Sequence, residues 1–198
     1  MLHALALALG YAIGSLQLSP LVARRHGVDL RRTGDGNPGA WNALEQLGPR
    51  RAAPAFVLDG LKGSAAGLAG LGLAGWWAGW LGVLGAMLGH AFPAGARFRG
   101  GKSVMTFVGG VTVLAPVAGA VCWTVCGVVT AVRSFRWGAR AGTFAVPLAV
   151  LAVGPRKRLW PILWLMAVIG ARFGADAARR RRSGPASADR AARPRAST

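Results

Sequence analysis

Apolar residues occur along this chain in long stretches that carry almost no charge, and short polar or arginine-rich stretches separate them. A run of about 20 apolar residues can cross a bilayer as a helix, because each residue adds 1.5 Å and the hydrocarbon core is about 30 Å thick. The pattern predicts an all-α integral membrane protein with seven short transmembrane helices. They are residues 2–22, 52–73, a third segment ending near Pro93, two segments within 104–132, 141–153 and 159–175.

The uncharged run 104–132 is too long for one ordinary span, and Ala115-Pro116 lies near its middle. Because proline favours a turn or the start of a helix, we predict two helices joined by a tight turn there. A single span is the alternative, and it would move everything after it to the opposite side. The N-terminal run has its positive charges after the apolar residues, so we predict a retained first helix rather than a signal peptide.

Composition supports the membrane class. Hydrophobic residues make up 53% of the 198 residues, charged residues only 15%, and mean hydropathy is +0.41. The net charge of +18 lies in short clusters between apolar runs, which is typical of membrane loops and not of nucleic-acid-binding surfaces. The expected partners are therefore anionic membrane lipids and phosphorylated substrates, without nucleic acid. Cys122 and Cys126 are expected to be apolar filler, and the sequence indicates no disulfide framework, metal site or cofactor.

The basic clusters predict the topology. With seven helices, all but one of the arginine-rich clusters fall on one side of the membrane, and the positive-inside rule makes that side cytoplasmic. The N-terminus is then outside and the C-terminus inside, and Arg156-Lys157-Arg158 is the exception. We predict a helical bundle over residues 1–176 and a disordered, basic cytoplasmic tail over residues 177–198.

Two polar islands interrupt the first half of the chain. The stretch GVDLRRTGDGNPGAWN, residues 27–42, is rich in turn-forming glycines, and such turns can aim backbone N–H groups at a phosphate, with Asn37 and Asn42 as further donors. An ordinary connecting loop is the alternative. Asp59 and Lys62 share a face of the second segment, where each charge would cost about 2.5–3.5 kcal/mol in mid-bilayer. They form either a structural ion pair or a pair that lines a substrate cleft.

A third island, residues 89–103, leads into the fourth helix through Gly100-Gly101-Lys102. Glycines permit close backbone approach, a helix start offers N–H donors, and lysine adds a cation; together these can form a phosphate cradle. The spacing is not that of a P-loop, and GGK taken alone also fits a solvated basic loop. His90 ends the third segment, where a hydrogen-bonded structural histidine is commoner than a catalytic base.

Taken together, four strings resemble the acyl-phosphate:glycerol-3-phosphate acyltransferases, a family of bacterial membrane enzymes: YAIGSLQLSPLVAR, GVDLRRTGDGNPGAWN, LDGLKG and GHAFPAGARFRGGKSVMT. Their order and spacing agree with that family from about Tyr11 to Thr106. The resemblance implies a seven-helix, multi-pass bundle in the bacterial inner membrane with a cytoplasmic active face. It also implies a step of phospholipid biosynthesis in which an acyl group moves from acyl phosphate to glycerol-3-phosphate, giving lysophosphatidic acid and inorganic phosphate.

The resemblance also implies roles for the polar residues. Lys102 and His90 belong to the catalytic set, and His90 orients the loop around Gly100 and Gly101, which we call the glycine loop. Substrate binding falls to Gly100, Gly101, Asn37, Asn42, Lys62 and Asp59. Because acyl phosphate is an activated mixed anhydride, no covalent enzyme intermediate and no cofactor is required; the protein must hold and neutralise two phosphates and orient the hydroxyl.

Several positions depart from the family's usual pattern. Asp35 stands where the family usually has Ser, Trp41 where it has Thr, and Glu45 where it has Arg. Ser103 and Met105 interrupt the usual GGKGVAT, and GARFGADAARRRR shows no counterpart of the family's terminal His-x-x-Asn-Ile-x-Arg. The added carboxylates would weaken binding of an anion, although the sequence offers cations that could compensate: Arg31, Arg32, Arg50 or Arg97. Two alternatives stay open: a degenerate member that binds lipid phosphate or a partner enzyme without catalysis, and a small transporter or channel unrelated to acyl transfer.

Overall fold

The computed structural model describes residues 1–183, and all regular structure within that range is helical. The all-α prediction is confirmed. The α-helices are α1 (Leu2–Gly14), α2 (Leu18–Arg24), α3 (Ala40–Leu47), α4 (Pro49–Ala91), α5 (Val104–Leu114), α6 (Pro116–Val132), α7 (Phe135–Val153) and α8 (Leu159–Ser183). Two single 3-10 turns, Ala94–Ala96 and Arg156–Arg158, precede α5 and α8.

The seven predicted segments all occur, some of them divided. The first is broken into α1 and α2. Helix α4 is interrupted at Ala74 and Gly75, where Gly75 has a φ of 72° that glycine tolerates, and its halves 49–73 and 76–91 are the second and third segments. The predicted break at Ala115 is confirmed, because Pro116 begins α6. Helix α3 is an additional short helix within a stretch predicted to be loop.

Two predicted boundaries are corrected. Helix α7 begins at Phe135 and not at residue 141, because Phe135 packs against Trp41 and Phe56 from α3 and α4. Helix α8 continues to Ser183, so residues 177–183 of the predicted disordered tail are helical. Alanine and arginine, which fill most of that stretch, are strong helix formers. The remaining predicted tail, residues 184–198, lies outside the described residues.

Three stretches of residues 1–183 are long and apolar enough to span a membrane by themselves: Leu2–Arg24, Pro49–Ala96 and Arg156–Arg179. Helices α5 and α6 are apolar but shorter. Large apolar side chains point outward along α7 and α8, among them Phe144, Leu148 and Trp160. Such a surface would be unfavourable in water and suits contact with lipid.

Small residues set the helix packing. A Cβ on Gly10 or Gly14 of α1 would overlap the backbone carbonyl of Gly82 or Ala86 in the second half of α4. A Cβ on Gly63 would likewise overlap backbone atoms of α5. Helices in membranes associate through such close backbone approach, since burial from water does not drive them together. The packing brings the end of α1, the end of α4 and the start of α5 together at one end of the bundle.

Candidate functional site

A cavity of about 280 Å³ opens at that end of the bundle. Its walls come from the α2–α3 connection, the loop between α4 and α5, and the C-terminal half of α8. The charged residues lining it are four arginines and two aspartates: Arg31, Arg99, Arg172, Arg179, Asp35 and Asp176. A concave site with an excess of guanidinium groups suits an anionic ligand, because guanidinium matches phosphate oxygens in a bidentate way.

The glycine loop is fixed by its own backbone. The N–H of Gly100 donates to the carbonyl of Ala91 at 3.1 Å, and that of Gly101 donates to the carbonyl of His90 at 3.0 Å. The carbonyls of the same two glycines accept hydrogen bonds from Arg172, through Nη2 at 3.0 Å and Nε at 3.1 Å. Neither glycine therefore has a free N–H to offer a phosphate, although Gly100 itself lines the cavity.

Steric contact explains why glycine occupies these positions. A Cβ on Gly101 would overlap the imidazole Nε2 of His90, and a Cβ on Gly100 would overlap the His90 carbonyl. The same loop holds Arg97, Phe98 and Ser103 in the left-handed region, with φ between 53° and 62°. Such backbone strain persists only where surrounding contacts enforce it. The loop is thus a compact unit locked to the end of α4, with the ring of His90 against its inner side.

Lys102 lies between two carboxylates of the cavity wall. Its Nζ is 3.1 Å from Oδ2 of Asp35 and 3.4 Å from Oδ2 of Asp176, and it lies 4.9 Å from the ring centroid of Phe173. The Lys102 side chain is 14% exposed. Lys102 lies one residue before Ser103, the N-cap of α5, near the end of the helix where the dipole adds positive potential. A cation is therefore present where the sequence predicted one, and acidic side chains from α8 and the α2–α3 connection hold it.

Asp59, Lys62 and His90 form a buried polar network. The Nζ of Lys62 lies 2.9 Å from Oδ1 of Asp59 and 2.9 Å from Nδ1 of His90. Ser19 of α2 donates a hydrogen bond of 2.6 Å to the second carboxylate oxygen of Asp59. Asp59 and Lys62 are 1% and 3% exposed. This packing matches the structural ion pair considered from the sequence, and none of the three residues lines the cavity.

Lys62 also secures the break between α1 and α2. It donates to the carbonyl of Leu16 at 2.9 Å and to that of Gly14 at 3.4 Å. The last carbonyls of a helix have no partner within the helix, and a nearby cation is favourable at that end. The network therefore ties the first segment to both halves of α4, and through His90 it also reaches the glycine loop.

The two predicted asparagines differ in their placement. Asn37 lines the cavity, and its backbone N–H donates to Oδ1 of Asp35 at 3.0 Å, which closes an Asx turn. Asn42 is fully buried, and its Nδ2 lies within hydrogen-bond distance of the carbonyls of Leu30, Thr33 and Asn37, at 2.9, 3.0 and 3.1 Å. Asn42 thus fixes the shape of the loop that presents Asn37 and Asp35.

The departures at Trp41 and Glu45 belong to a separate cluster. The indole Nε1 of Trp41 donates to Oε1 of Glu45 at 2.8 Å, and Nη2 of Arg136 lies 3.5 Å from the same oxygen. The Trp41 ring stacks on Phe135 with centroids 5.8 Å apart. These contacts fasten α3 to the start of α7. The reversed charge at Glu45 therefore has a cationic partner of its own and does not line the cavity.

The sequence did not predict that α8 contributes residues to the cavity or that α2 contributes Ser19 to the buried network. Arg172 is 7% exposed, and Asp176 follows four residues later on the same helical face. An arginine inside the predicted segment 159–175 was an available signal, since charge within a membrane span marks a functional position by default. Ser19 lies within one of the four motif strings, but the sequence could not predict its hydrogen bond to Asp59, which lies 40 residues away.

These observations define a multi-pass helical membrane protein with a cationic cavity at one end of its bundle. The family model described as "Glycerol-3-phosphate acyltransferase" matches residues 4–182. The chain belongs to the glycerol-3-phosphate acyltransferase family, as the resemblance implied, and it is an acyltransferase of that family.

Two curated relatives illustrate the similarity. The glycerol-3-phosphate acyltransferase of Sinorhizobium fredii is 39% identical over 157 residues, which cover 77% of this chain and 76% of the relative. That of Rubrobacter xylanophilus is 39% identical over 159 residues, which cover 78% of each chain. The relatives are therefore matched over most of their length.

Solved structures are similar to nearly the whole chain. One is a crystal structure of PlsY (YgiH), an integral membrane glycerol 3-phosphate acyltransferase, in its glycerol 3-phosphate form. Its TM-score is 0.78 at 28% identity, over 91% of this chain and 92% of that one. The lysophosphatidic acid form of PlsY gives 0.76 at 27% identity, with the same coverage. The predicted membrane class is thereby confirmed.

Proposed function

We propose that this chain transfers an acyl group from acyl phosphate to the 1-hydroxyl of glycerol-3-phosphate, giving lysophosphatidic acid and inorganic phosphate. The observation that carries the proposal is the cavity with four arginines at the end of a membrane bundle, beside Lys102. Family membership supports the reaction, and the glycerol 3-phosphate and lysophosphatidic acid forms of PlsY support binding of these two compounds.

The reaction requires little of the protein beyond positioning the two substrates and neutralising their phosphates. The acceptor hydroxyl oxygen bonds to the acyl carbonyl carbon, and the bond from that carbon to the phosphate oxygen breaks. The hydroxyl proton passes to the leaving phosphate, which departs as hydrogen phosphate. Two phosphates must approach each other, and their repulsion is the main obstacle. Guanidinium groups around the cavity lower that repulsion, and a fixed wall orients the hydroxyl, which together can supply much of the rate enhancement.

Lys102 is the proposed catalytic cation. In the free protein it is held by Asp35 and Asp176, and a phosphate dianion entering the cavity would compete with these two carboxylates for its ammonium group. His90 acts as a positioning residue, because its carbonyl and ring shape the loop that ends at Lys102. Gly100 and Asn37 would contact substrate directly from the cavity wall.

The remaining predicted site residues do not line the cavity, and we propose that they hold the residues that do. Gly101 is proposed to let the loop close on His90. Asp59 and Lys62 hold His90 and the end of α1, and Asn42 holds the α2–α3 connection. Each would influence substrate binding through the residues it positions.

We place the cavity on the cytoplasmic face of the bacterial inner membrane, with the N-terminus outside and the C-terminus inside. Most arginine clusters belong to connections at the cavity end, and the positive-inside rule assigns that end to the cytoplasm. Glycerol-3-phosphate is a water-soluble anion, so this orientation opens the site to it. A cysteine introduced into the α6–α7 connection and labelled by an impermeant maleimide in intact cells tests the orientation: labelling there would contradict it.

Turnover by the purified protein tests the reaction. The protein in detergent is supplied with acyl phosphate and glycerol-3-phosphate, and release of inorganic phosphate and formation of lysophosphatidic acid are followed together. We expect turnover in the unaltered chain and a loss of about 100-fold or more in Lys102→Ala, the scale for removing one preorganised electrostatic group. Arg25→Ala, which removes an exposed cation after α2, is the control and should keep its rate.

A catalytically degenerate member is the second candidate, and the pairing of Lys102 with two carboxylates is the observation that favours it. That candidate predicts binding of a phosphorylated lipid or a partner enzyme without turnover. Absence of turnover in the folded protein would overturn the proposed reaction, and its recovery in Asp35→Ser would show that the carboxylate at this position disabled the site. Substrate-dependent flux in proteoliposomes would instead indicate a transporter.

A further inference from the structure

A second cavity, of about 210 Å³, lies at the other end of the bundle. It is a groove between the α5–α6 turn and the C-terminal end of α7. Its walls are small and apolar, with Ala115, Pro116 and Ala118 on one side and Ala149 and Val150 on the other. Arg158 also lines the groove. No residue of the acyl-transfer cavity takes part in it.

Helices α5 and α8 each extend from the first cavity to this groove, so their lengths give the distance between the two. Helix α5 has 11 residues and starts beside Lys102, so its far end is about 16 Å away. Helix α8 starts next to the groove at Leu159 and reaches the first cavity at Arg172, about 20 Å further along. The groove therefore lies near the opposite membrane surface from the acyl-transfer cavity.

Three consecutive cations form the turn beside the groove, Arg156–Arg158. Arg156 and Lys157 are exposed, while Arg158 is half-buried with its guanidinium 4.9 Å from the ring centroid of Trp76. Trp80 donates to the carbonyl of Pro161 at 2.9 Å and so fixes the turn against α4. No ion pair within residues 1–183 involves these three cations.

This cluster is also the exception to the charge asymmetry of the chain. In the proposed orientation these cations lie on the outer side and oppose the positive-inside rule, so their charge is better explained by a ligand than by topology. The apolar groove next to them is flanked by exposed Val117 and Val153, which leave it open sideways to the bilayer. A ligand that fits must be anionic at one end and apolar at the other.

We propose that this end of the bundle is a binding site for a phospholipid with an anionic headgroup. The headgroup phosphate contacts Arg156 and Lys157, and the upper part of one acyl chain lies in the groove beneath Arg158. Each cation near an anionic lipid surface favours binding by about fivefold, so three cations are enough for a clear preference over zwitterionic lipid. The site is distinct from the acyl-transfer cavity and does not depend on the proposed reaction.

Native mass spectrometry of the full-length protein tests the proposal. The protein is released from micelles that contain equal amounts of phosphatidylglycerol and phosphatidylcholine with identical acyl chains, and retained lipid is counted. We expect phosphatidylglycerol to be favoured by about fivefold or more, and the preference to disappear in R156Q/K157Q/R158Q. The matched control R24Q/R25Q/R51Q removes the same charge from exposed arginines elsewhere and should keep the preference.

Three results of the comparison between the two lipids would overturn the proposal. They are no preference in the unaltered chain, a preference that survives R156Q/K157Q/R158Q, and an equal loss in both triple variants, which would show a general charge effect. Inorganic phosphate and chain-free glycerophosphoglycerol are added as competitors; displacement of the lipid by either at equal concentration would indicate a soluble-anion site instead. If the triple variant fails to fold, R156Q/K157Q alters only exposed side chains and serves for the same comparison.

Discussion

The ammonium group of Lys102 lies 3.1 Å from the carboxylate of Asp35, although 67 residues separate them in sequence. The sequence resemblance to the family implies a neutral serine at the position that Asp35 occupies. The substitution therefore places an anion on the wall of the cavity that is proposed to receive phosphate, and it binds the cation proposed to neutralise that phosphate. We therefore expect Asp35 to weaken the binding of a phosphate in this cavity.

Asp35→Asn is expected to lower the KM for glycerol-3-phosphate by about five- to tenfold. The amide removes a negative charge next to the substrate phosphate and keeps the oxygen that accepts the Asn37 N–H. Initial rates across a range of glycerol-3-phosphate concentrations measure this KM. Asp29→Asn removes the same charge from the same connection at a half-exposed position and should leave KM unchanged. An equal KM in both variants and the unaltered chain would refute this role for Asp35.

Lys62→Met is expected to lower the free energy of unfolding by about 3–5 kcal/mol, because it leaves Asp59 charged, buried and unpaired. Unfolding in detergent, followed by circular dichroism, measures the loss. Arg32→Ala breaks a pair whose side chains are 87% and 48% exposed, and it should cost less than about 1 kcal/mol. Removing both charges in Asp59→Leu/Lys62→Met should recover part of the stability. A Lys62→Met protein as stable as Arg32→Ala would contradict the buried network.

Glu45→Arg is expected to destabilise the contact between α3 and α7 by about 1 kcal/mol and to leave turnover unimproved. The new arginine would face Arg136 and would lose the hydrogen bond from Trp41. The exchanged pair Glu45→Arg/Arg136→Glu should regain most of the stability, which a double-mutant cycle quantifies. Higher activity in the single variant would show instead that position 45 acts on the substrate.

Gly101→Ala is expected to reduce turnover by about tenfold or more and to lower the unfolding temperature. Its methyl group would overlap the His90 ring at Nε2, so either the ring or the loop must shift and the contact of His90 with Lys62 is disturbed. Gly95→Ala is the matched control in the same loop, since a Cβ there meets nothing within 4 Å. Similar turnover in the two variants would argue against the close fit between Gly101 and His90.

The hydrophobic pattern predicted the helical segments well because lipid imposes a simple rule. Backbone polar groups in a bilayer must bond within their own helix, so long apolar runs become helices whatever their neighbours are. The break at Ala115 before Pro116 followed from proline chemistry in the same local way. The boundaries of α7 and α8 were missed because Phe135 is held by aromatic side chains from other helices, and because helix propensity carried α8 through residues 177–183.

The candidate site could be predicted only as a set of polar islands. The sequence motifs led to Lys102, the glycine loop and Asn37, which do meet at one end of the bundle. They did not show that the glycine N–H groups bond back to His90 and Ala91. They also could not show that Arg172 supports the loop from α8, since that contact spans 71 residues.

By itself, the sequence determined the membrane class, the helical segments and the family, because these depend on local apolar length, proline and glycine positions and contiguous motifs. The tertiary structure decided which charges meet: Asp59 with Lys62 and His90 behind the loop, and Asp35 with Lys102 and Asp176 at the cavity. Whether two charges pair depends on distances of a few ångströms between side chains on different helices. Those distances are set by how closely the helices approach each other at their glycines.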